Sequence, residues 1–172
     1  MNLNGEWTYR SADGQISGRG AVPGCIHTDL LAEGRIGDPF YRDNEDRQHW
    51  IGEQSWIYER SFRLDKEALA DGPLCLVCEG LDTLARVELN GQLLGETDNM
   101  FRTWRFDAGA AAQSGENELR ITFSETFGRI REMAEEQDLA ASGDGTFRRW
   151  GGHYIRKNQS NYGWDWGPIC VT

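Results

Sequence analysis

The sequence has few basic residues, few cysteines and no long apolar run, and each shortage excludes a class of protein. Lys and Arg together number 18 against 28 Asp and Glu, which gives a formal net charge of −10. Phosphate binding requires a cationic surface, so we expect no nucleic-acid partner. No stretch approaches the roughly 18 apolar residues of a membrane span, and residues 1–7 lack the basic start and apolar core of a signal peptide. We therefore expect a soluble, cytoplasmic protein with no membrane partner.

Sequence motifs for metal, phosphate and nucleophilic chemistry are also missing. No glycine-rich phosphate loop, nucleophile elbow or His-Glu-x-x-His motif occurs. His27, His49 and His153 are dispersed, which is typical of surface or loop-anchoring imidazoles. Cys75 and Cys78 form a C-x-x-C pattern inside a predicted strand, where residues three apart point to opposite faces and could not bind one metal. We predict free thiols, no metal and no cofactor.

Aromatic residues and glycine are abundant: the chain has seven Trp and 21 Gly. Alternating patterns separated by turn residues are typical of short strands in an all-β domain. The dipeptide Asn90-Gly91 predicts a type I′ hairpin turn. We predict strands over residues 2–10, 48–64, 74–79 (buried on both faces), 84–89, 92–95, 103–106 and 118–123.

Two short helices decorate these strands. Thr28 is predicted to cap a helix over residues 29–33, and Ser124 to cap one that continues to about Leu139. Residues 21–24 are predicted as a turn, and residues 140–152 as a loop. Because helices between most strands are lacking, the pattern favours an all-β, jelly-roll β-sandwich formed by one domain over residues 1–172.

The motif Trp164-Asp165-Trp166 precedes a Gly-Pro turn near the end of the sequence. A carboxylate between two indole rings could accept hydrogen bonds from hydroxyls while the rings cover the apolar face of a sugar. Alternatively, both tryptophans belong to the core and Asp165 caps the turn. Composition alone leaves both interpretations open.

Carboxylates also cluster at Asn44-Glu45-Asp46. A glycosidase needs two carboxyl groups that flank the scissile bond, and no sequence pattern here identifies a second carboxylate to act with this cluster. We expect an acidic loop that is solvated or contacts a neighbouring domain. Residues 169–172 look like the opening of a strand that stops in mid-pattern, so we expect a fragment of a longer protein.

Several short motifs occur in a fixed order along essentially the whole chain, although residues 124–152 add little to the pattern. They are Val22-Pro23-Gly24-Cys25-Ile26-His27-Thr28-Asp29-Leu30-Leu31, Asp38-Pro39-Phe40 with Asn44-Glu45, Trp50-Ile51, Trp56-Ile57-Tyr58, Gly80-Leu81-Asp82-Thr83, Leu89-Asn90-Gly91, Asn99-Met100-Phe101 and Asn161-Tyr162-Gly163-Trp164-Asp165-Trp166-Gly167-Pro168. This ordered set resembles the N-terminal domain of β-mannosidases of glycoside hydrolase family 2.

The resemblance implies a galactose-binding-like jelly roll that is followed, in the parent chain, by immunoglobulin-like sandwiches and a (β/α)₈ barrel. The barrel would carry both catalytic glutamates, so the fragment alone should be inactive. The parent would be a retaining exo-β-D-mannosidase that removes terminal, non-reducing β-D-mannose from oligosaccharides. Its partners would be a β-mannoside oligosaccharide and the following domains.

The resemblance also implies roles for individual residues. Trp164, Asp165 and Trp166 would bind the sugar of the −1 subsite, with Asp165 accepting hydrogen bonds from its hydroxyls and the tryptophans shaping the pocket wall. Arg156, Lys157 and Gln159 would brace this loop. Alternatives are a stand-alone carbohydrate-binding module, a purely structural domain and a related exo-β-glucosaminidase or exo-β-glucuronidase.

Overall fold

The structure, a computed structural model, describes residues 1–137, 152–163 and 167–172. Its strands are β1 (Gly5–Ser11), β2 (Ser17–Val22), β3 (Trp56–Leu64), β4 (Cys75–Cys78), β5 (Leu84–Leu89), β6 (Gln92–Asp98), β7 (Trp104–Asp107) and β8 (Gly115–Phe123). Its helices are α1 (Ile26–Ala32), α2 (Lys66–Ala70) and α3 (Thr126–Gln137), with 3-10 turns at Glu45–Arg47, His49–Ile51, Gly152–Tyr154 and Gln159–Tyr162. None of these helices is long and apolar enough to cross a membrane.

The strands form two antiparallel sheets. One has six strands in the order β2-β1-β3-β8-β5-β6, and the other pairs β4 with β7. Alternate side chains of the larger sheet point inward, so that Trp7, Tyr9 and Tyr58 share one buried cluster with Phe106 of β7. This arrangement confirms the predicted fold class, an all-β jelly-roll β-sandwich. The prediction gave it one or two short helices, and α2 is a further helix that the sequence analysis did not predict.

The β5–β6 hairpin is confirmed, and its turn is fixed by side-chain contacts as well as by backbone preference. Asn90 and Gly91 have φ angles of 52° and 77°, as a type I′ turn requires. Asn90 Nδ2 donates to Ala111 O and to Asn117 Oδ1, each at 2.8 Å, and Asn90 Oδ1 accepts from Glu118 N at 2.9 Å. The asparagine therefore ties the hairpin to β8 and to the loop that precedes it.

Helix α1 is attached to the large sheet through buried polar contacts. The carboxylate of Asp29, which is 4% exposed, accepts from Ala21 N at 3.0 Å and from Tyr58 Oη at 2.6 Å. Burial and this hydrogen bond raise the pKa of Tyr58 well above its usual range, so the tyrosine remains a donor. These contacts fix the helix that carries His27 against the sheet.

The predicted strand over residues 48–64 is wrong in its first half. Strand β3 begins at Trp56, and the preceding residues contain the 3-10 turn His49–Ile51. The side chain of Ile51 is fully buried, and Ile51 O accepts from Trp56 Nε1 at 2.9 Å. A turn that buries Ile51 and binds the indole therefore replaces an extended segment.

Other boundaries also differ from the predictions. Residues 21 and 22 belong to β2 rather than to a turn. Helix α1 begins before Thr28, whose Oγ1 accepts from Cys25 N at 3.2 Å across the first turn. Strand β4 is confirmed but is not buried on both faces: Cys75 and Val77 are exposed, because the two-stranded sheet leaves one face open to solvent.

Helix α3 is confirmed, although its first turn is capped by Glu125 rather than Ser124. The Glu125 carboxylate accepts from Gly128 N at 2.9 Å. The predicted helix end near Leu139 and the predicted loop 140–152, apart from its last residue, lie outside the described residues.

Candidate functional site

The predicted substrate-binding residues Trp164, Asp165 and Trp166 lie outside the described residues, so their role stays a prediction. The structure does describe both flanking segments, residues 152–163 and 167–172. The geometry of these flanks determines how the motif is attached to the sandwich.

The two flanks are hydrogen-bonded to each other. Cys170 N donates to Asn161 O at 3.1 Å, which closes the chain between these two residues into a loop. Gly163 sits at one end of this loop with φ of +103°, and a Cβ there would lie 3.0 Å from Ile169 Cγ1. Only glycine combines that backbone conformation with so close an approach. The sequence Asn161-Tyr162-Gly163 therefore supports a narrow loop base immediately before the motif.

Apolar packing fixes the same base to helix α3. Phe127 and Ile130 of α3 form a second buried cluster with Ile155, Tyr162 and Val171, which are 6%, 1% and 4% exposed. Residues on both sides of the motif thus share one small core. The cluster is separate from the main core between the sheets, so it holds the flanks rather than the sandwich itself.

A buried ion pair joins the segment before the motif to the sandwich. Lys157 Nζ donates to Asp82 Oδ2 at 2.7 Å, and the lysine side chain is fully buried while that of Asp82 is 31% exposed. Burial lowers the pKa of Lys157 below its usual value, and the carboxylate opposes this effect. The buried ammonium therefore depends on the Asp82 carboxylate to offset its loss of solvation.

Backbone contacts around Lys157 reinforce this attachment. Arg156 O accepts from Met100 N at 3.1 Å, and Arg156 forms an isolated bridge with Asn99 in the β6–β7 connection. Gln159 Nε2 donates to Lys157 O at 3.0 Å. Of the three residues predicted to brace the loop, Lys157 contributes its side chain most directly, whereas Arg156 contributes its backbone.

His27 does not have the surface or loop-anchoring environment expected from the sequence. It lies in α1, is 8% exposed, and has a pKa lowered to about 4 by burial and by the charge of Lys157. The imidazole is therefore neutral at pH 7. No local sequence signal reveals this, because Lys157 approaches from a distant part of the chain.

The acidic stretch at residues 44–46 contacts the C-terminal flank. Glu45 Oε2 accepts from Ile169 N at 3.1 Å. The sequence predicted a solvated loop or a contact with a neighbouring domain, and it gave no hint of this partner 124 positions away.

The cysteines are free thiols, as predicted. Cys75 is exposed, whereas Cys78 is half-buried and its pKa is raised to about 11 by burial and by Cys75. Within residues 1–137, 152–163 and 167–172, no group of three or more His, Cys, Asp or Glu side chains is placed to hold a metal ion.

Comparisons with known proteins give a consistent assignment. The family described as "Glycosyl hydrolase 2 galactose-binding domain-like" matches residues 7–172. The β-mannosidase B of Emericella nidulans is 38% identical over an alignment of 156 positions that covers 88% of this chain and 18% of that protein. The β-mannosidase of Bos taurus is 32% identical over an alignment of 180 positions, gaps included, that covers 100% of this chain and 20% of that protein.

Solved structures agree with the sequence matches. The crystal structure of β-D-mannosidase from Dictyoglomus thermophilum has a TM-score of 0.92 and 36% identity, covering 99% of this chain and 21% of that one. A β-D-glucuronidase from the same organism, at 18% identity and a TM-score of 0.52, shares the fold alone and covers 73% of this chain and 19% of its own. The chain spans about a fifth of the length of the relatives it matches, and it belongs to the galactose-binding-domain-like family of glycosyl hydrolase 2.

Proposed function

We propose that this chain is the N-terminal domain of a retaining exo-β-D-mannosidase that hydrolyses terminal, non-reducing β-D-mannose residues. The observation that carries the proposal is the fit to a β-D-mannosidase over 99% of the chain at a TM-score of 0.92. The glucuronidase neighbour fits 73% of the chain at 0.52. The ordered motifs ending in Trp164-Asp165-Trp166 support the same choice.

In this proposal the chain supplies binding groups and the rest of the parent supplies the reacting ones. Retaining glycosidases place two carboxyl groups about 5–5.5 Å apart, one as nucleophile and one as acid and base. In this proposal these are the glutamates of the barrel that the resemblance implies for the parent chain. The nucleophile attacks the anomeric carbon to form a glycosyl-enzyme, which water then hydrolyses.

Asp165 contributes by accepting hydrogen bonds from hydroxyls of the sugar in the −1 subsite, while Trp164 and Trp166 exclude water from its apolar face. These contacts strengthen as the sugar ring distorts toward the oxocarbenium-like transition state, so they favour catalysis rather than substrate binding alone. The closed loop base from Asn161 to Cys170 supports the proposal, since a positioned acceptor needs fixed flanks.

The test is Asp165→Ala in the full-length parent, assayed with an aryl β-D-mannoside. Leaving sugar hydroxyls and pocket donors unpaired should cost about 2–4 kcal/mol of transition-state binding, which is about a 30- to 900-fold loss of kcat/KM. Glu67→Ala, which removes an exposed carboxylate of helix α2, is the matched control. An unchanged kcat/KM for Asp165→Ala would refute the role of Asp165.

A substrate panel tests the parent activity itself. We expect hydrolysis of aryl β-D-mannoside with retention and little activity on the corresponding β-glucosaminide or β-glucuronide. Preference for either of the latter would replace the proposal with the related exo-β-glycosidase. The domains that follow in the parent are the other partners that this proposal requires.

The stand-alone carbohydrate-binding module is distinguished by binding to the isolated chain. The proposed function predicts no measurable affinity for mannobiose in a calorimetric titration, because the barrel half of the subsite is missing. Saturable binding would favour the module. A purely structural domain would instead lose stability, but no transition-state binding, in Asp165→Ala.

A further inference from the structure

Glu45 is a half-buried carboxylate that the proposed function leaves without a role. It opens the 3-10 turn Glu45–Arg47, and its Oε2 accepts from Ile169 N at 3.1 Å. Ile169 lies three positions after Trp166 in the sequence. A carboxylate from the N-terminal half of the chain therefore contacts the backbone just beyond the substrate-binding motif.

The loop that carries Glu45 is fixed by its own hydrogen bonds. Asn44 Nδ2 donates to Asp38 O at 2.9 Å, and the nearly fully buried Gln48 donates through Nε2 to Gly37 O at 2.8 Å. These contacts close the loop on both sides of Glu45, one position before it and three positions after it. The carboxylate is thus held by a formed structure and does not need to be ordered when it binds the Ile169 amide.

The Ile169 amide is adjacent to the second hydrogen bond that fixes the C-terminal flank. The next residue, Cys170, donates its amide to Asn161 O and so closes the loop base. Two consecutive amides are therefore bound by acceptors from different parts of the chain, Glu45 and Asn161. The bond from Cys170 N to Asn161 O sets the separation of the two flanks. The bond from Ile169 N to Glu45 sets the position of the C-terminal flank relative to the sandwich.

We propose that Glu45 is a positioning residue: by accepting a hydrogen bond from the Ile169 amide, it fixes the C-terminal flank of the predicted substrate-binding motif. This inference rests on the proposed function. In this proposal Glu45 acts through the backbone of the flank and not by contact with the sugar. A carboxylate serves this role well because it only accepts hydrogen bonds, and an ionised acceptor binds an amide more strongly than a neutral one.

The decisive experiment combines Glu45 and Asp165 variants in the full-length enzyme. Glu45→Ala should lower kcat/KM for 4-nitrophenyl β-D-mannoside by about 10-fold or more, because the motif is correctly placed in a smaller fraction of molecules. Glu45→Gln retains an acceptor oxygen and should stay within about threefold of wild type. Glu67→Ala, at an exposed position of helix α2, is again the matched control and should leave kcat/KM unchanged.

Coupling to Asp165 separates positioning from general stability. If Glu45 acts by placing Asp165, Glu45→Ala should have little further effect in an Asp165→Ala background. If Glu45 only stabilises the fold, the fold-losses of kcat/KM from Glu45→Ala and Asp165→Ala should multiply in the double variant, and the thermal midpoint should fall with them. Multiplied losses, or a Glu45→Gln variant as impaired as Glu45→Ala, would overturn the inference.

The thiol of Cys170 gives a readout that does not require activity. Burial and the Glu45 charge raise the pKa of Cys170, which slows its alkylation. Glu45→Ala should therefore speed iodoacetamide modification of Cys170 relative to the exposed Cys75, followed by peptide mass spectrometry. An unchanged ratio of Cys170 to Cys75 alkylation would refute the contact between Glu45 and the flank. If that ratio rises in Glu45→Ala but the wild-type enzyme does not hydrolyse β-mannosides, the contact is supported and the proposed function is refuted.

Discussion

The ion pair between Lys157 and Asp82 should respond unequally to loss of its two partners. The Lys157 side chain is fully buried, whereas that of Asp82 is 31% exposed. Asp82→Asn removes the compensating charge and leaves a buried ammonium, which should cost about 3–5 kcal/mol of unfolding free energy. Lys157→Met leaves a carboxylate that water can still reach, so we expect a loss of about 1–2 kcal/mol.

The double variant tests the same reasoning more stringently. Burial already lowers the pKa of Lys157 despite the nearby carboxylate, which indicates that the pair compensates its desolvation only in part. Adding Lys157→Met to Asp82→Asn removes the uncompensated charge and should recover about 2 kcal/mol. The second substitution should therefore stabilise the first variant, although it destabilises the wild type.

Urea unfolding followed by tryptophan fluorescence is the assay, since the chain carries seven Trp. The midpoint reports stability, and a constant slope shows that the change in exposed surface is unaltered. Equal losses for the two single variants, or additive losses in the double variant, would show that Lys157 is solvated and that the pair is an ordinary surface salt bridge.

Two further predictions concern stability. The pKa of His27 is lowered from 6.5 to about 4 in the folded state, so the unfolded protein binds one more proton between these pH values. The free energy of unfolding should therefore fall by about 3 kcal/mol as the pH drops from 6.5 to 4. His27→Gln should flatten that part of the pH profile in urea titrations, and an unchanged slope would contradict the burial. Asn90→Ala loses three hydrogen bonds and a favourable left-handed residue and should cost about 2–4 kcal/mol. Gly91→Ala strains only the backbone and should cost about 1 kcal/mol. If thermal unfolding shows the same midpoint shift for Asn90→Ala and Gly91→Ala, the Asn90 side chain contributes nothing to stability.

The elements that the sequence predicts well are those with a local physical cause. Asn90-Gly91 determines its hairpin because positive φ at two successive residues is a property of the dipeptide itself. Strand β8 follows from alternation that one buried face imposes. The strand predicted over residues 48–64 is wrong before Trp56, because the Trp56 indole and the buried Ile51 side chain favour a 3-10 turn, and that preference depends on tertiary packing.

The contacts around the candidate site have no such local cause. Lys157 meets Asp82 across 75 positions, and Glu45 meets Ile169 across 124. Neither pair shows a spacing rule, since ion pairs and side-chain-to-backbone bonds between distant loops depend on the finished fold. The residues themselves singled out Trp164-Asp165-Trp166, and the resemblance added Lys157, but only the structure connects Glu45 to the flank that follows the motif.

Lys157, in the segment before the motif, and Glu45, which binds the segment after it, differ in burial, and this difference predicts different roles. Lys157 is fully buried, so breaking its pair changes the free energy of unfolding first and catalysis only as a consequence. Glu45 is half-buried and binds a single amide, so its loss should barely alter global stability. Catalysis depends on the placement of groups to a fraction of an ångström, however, and small displacements of a binding loop are costly in rate. Variants of Lys157 should therefore be recognised by their unfolding midpoints, and variants of Glu45 by their kcat/KM.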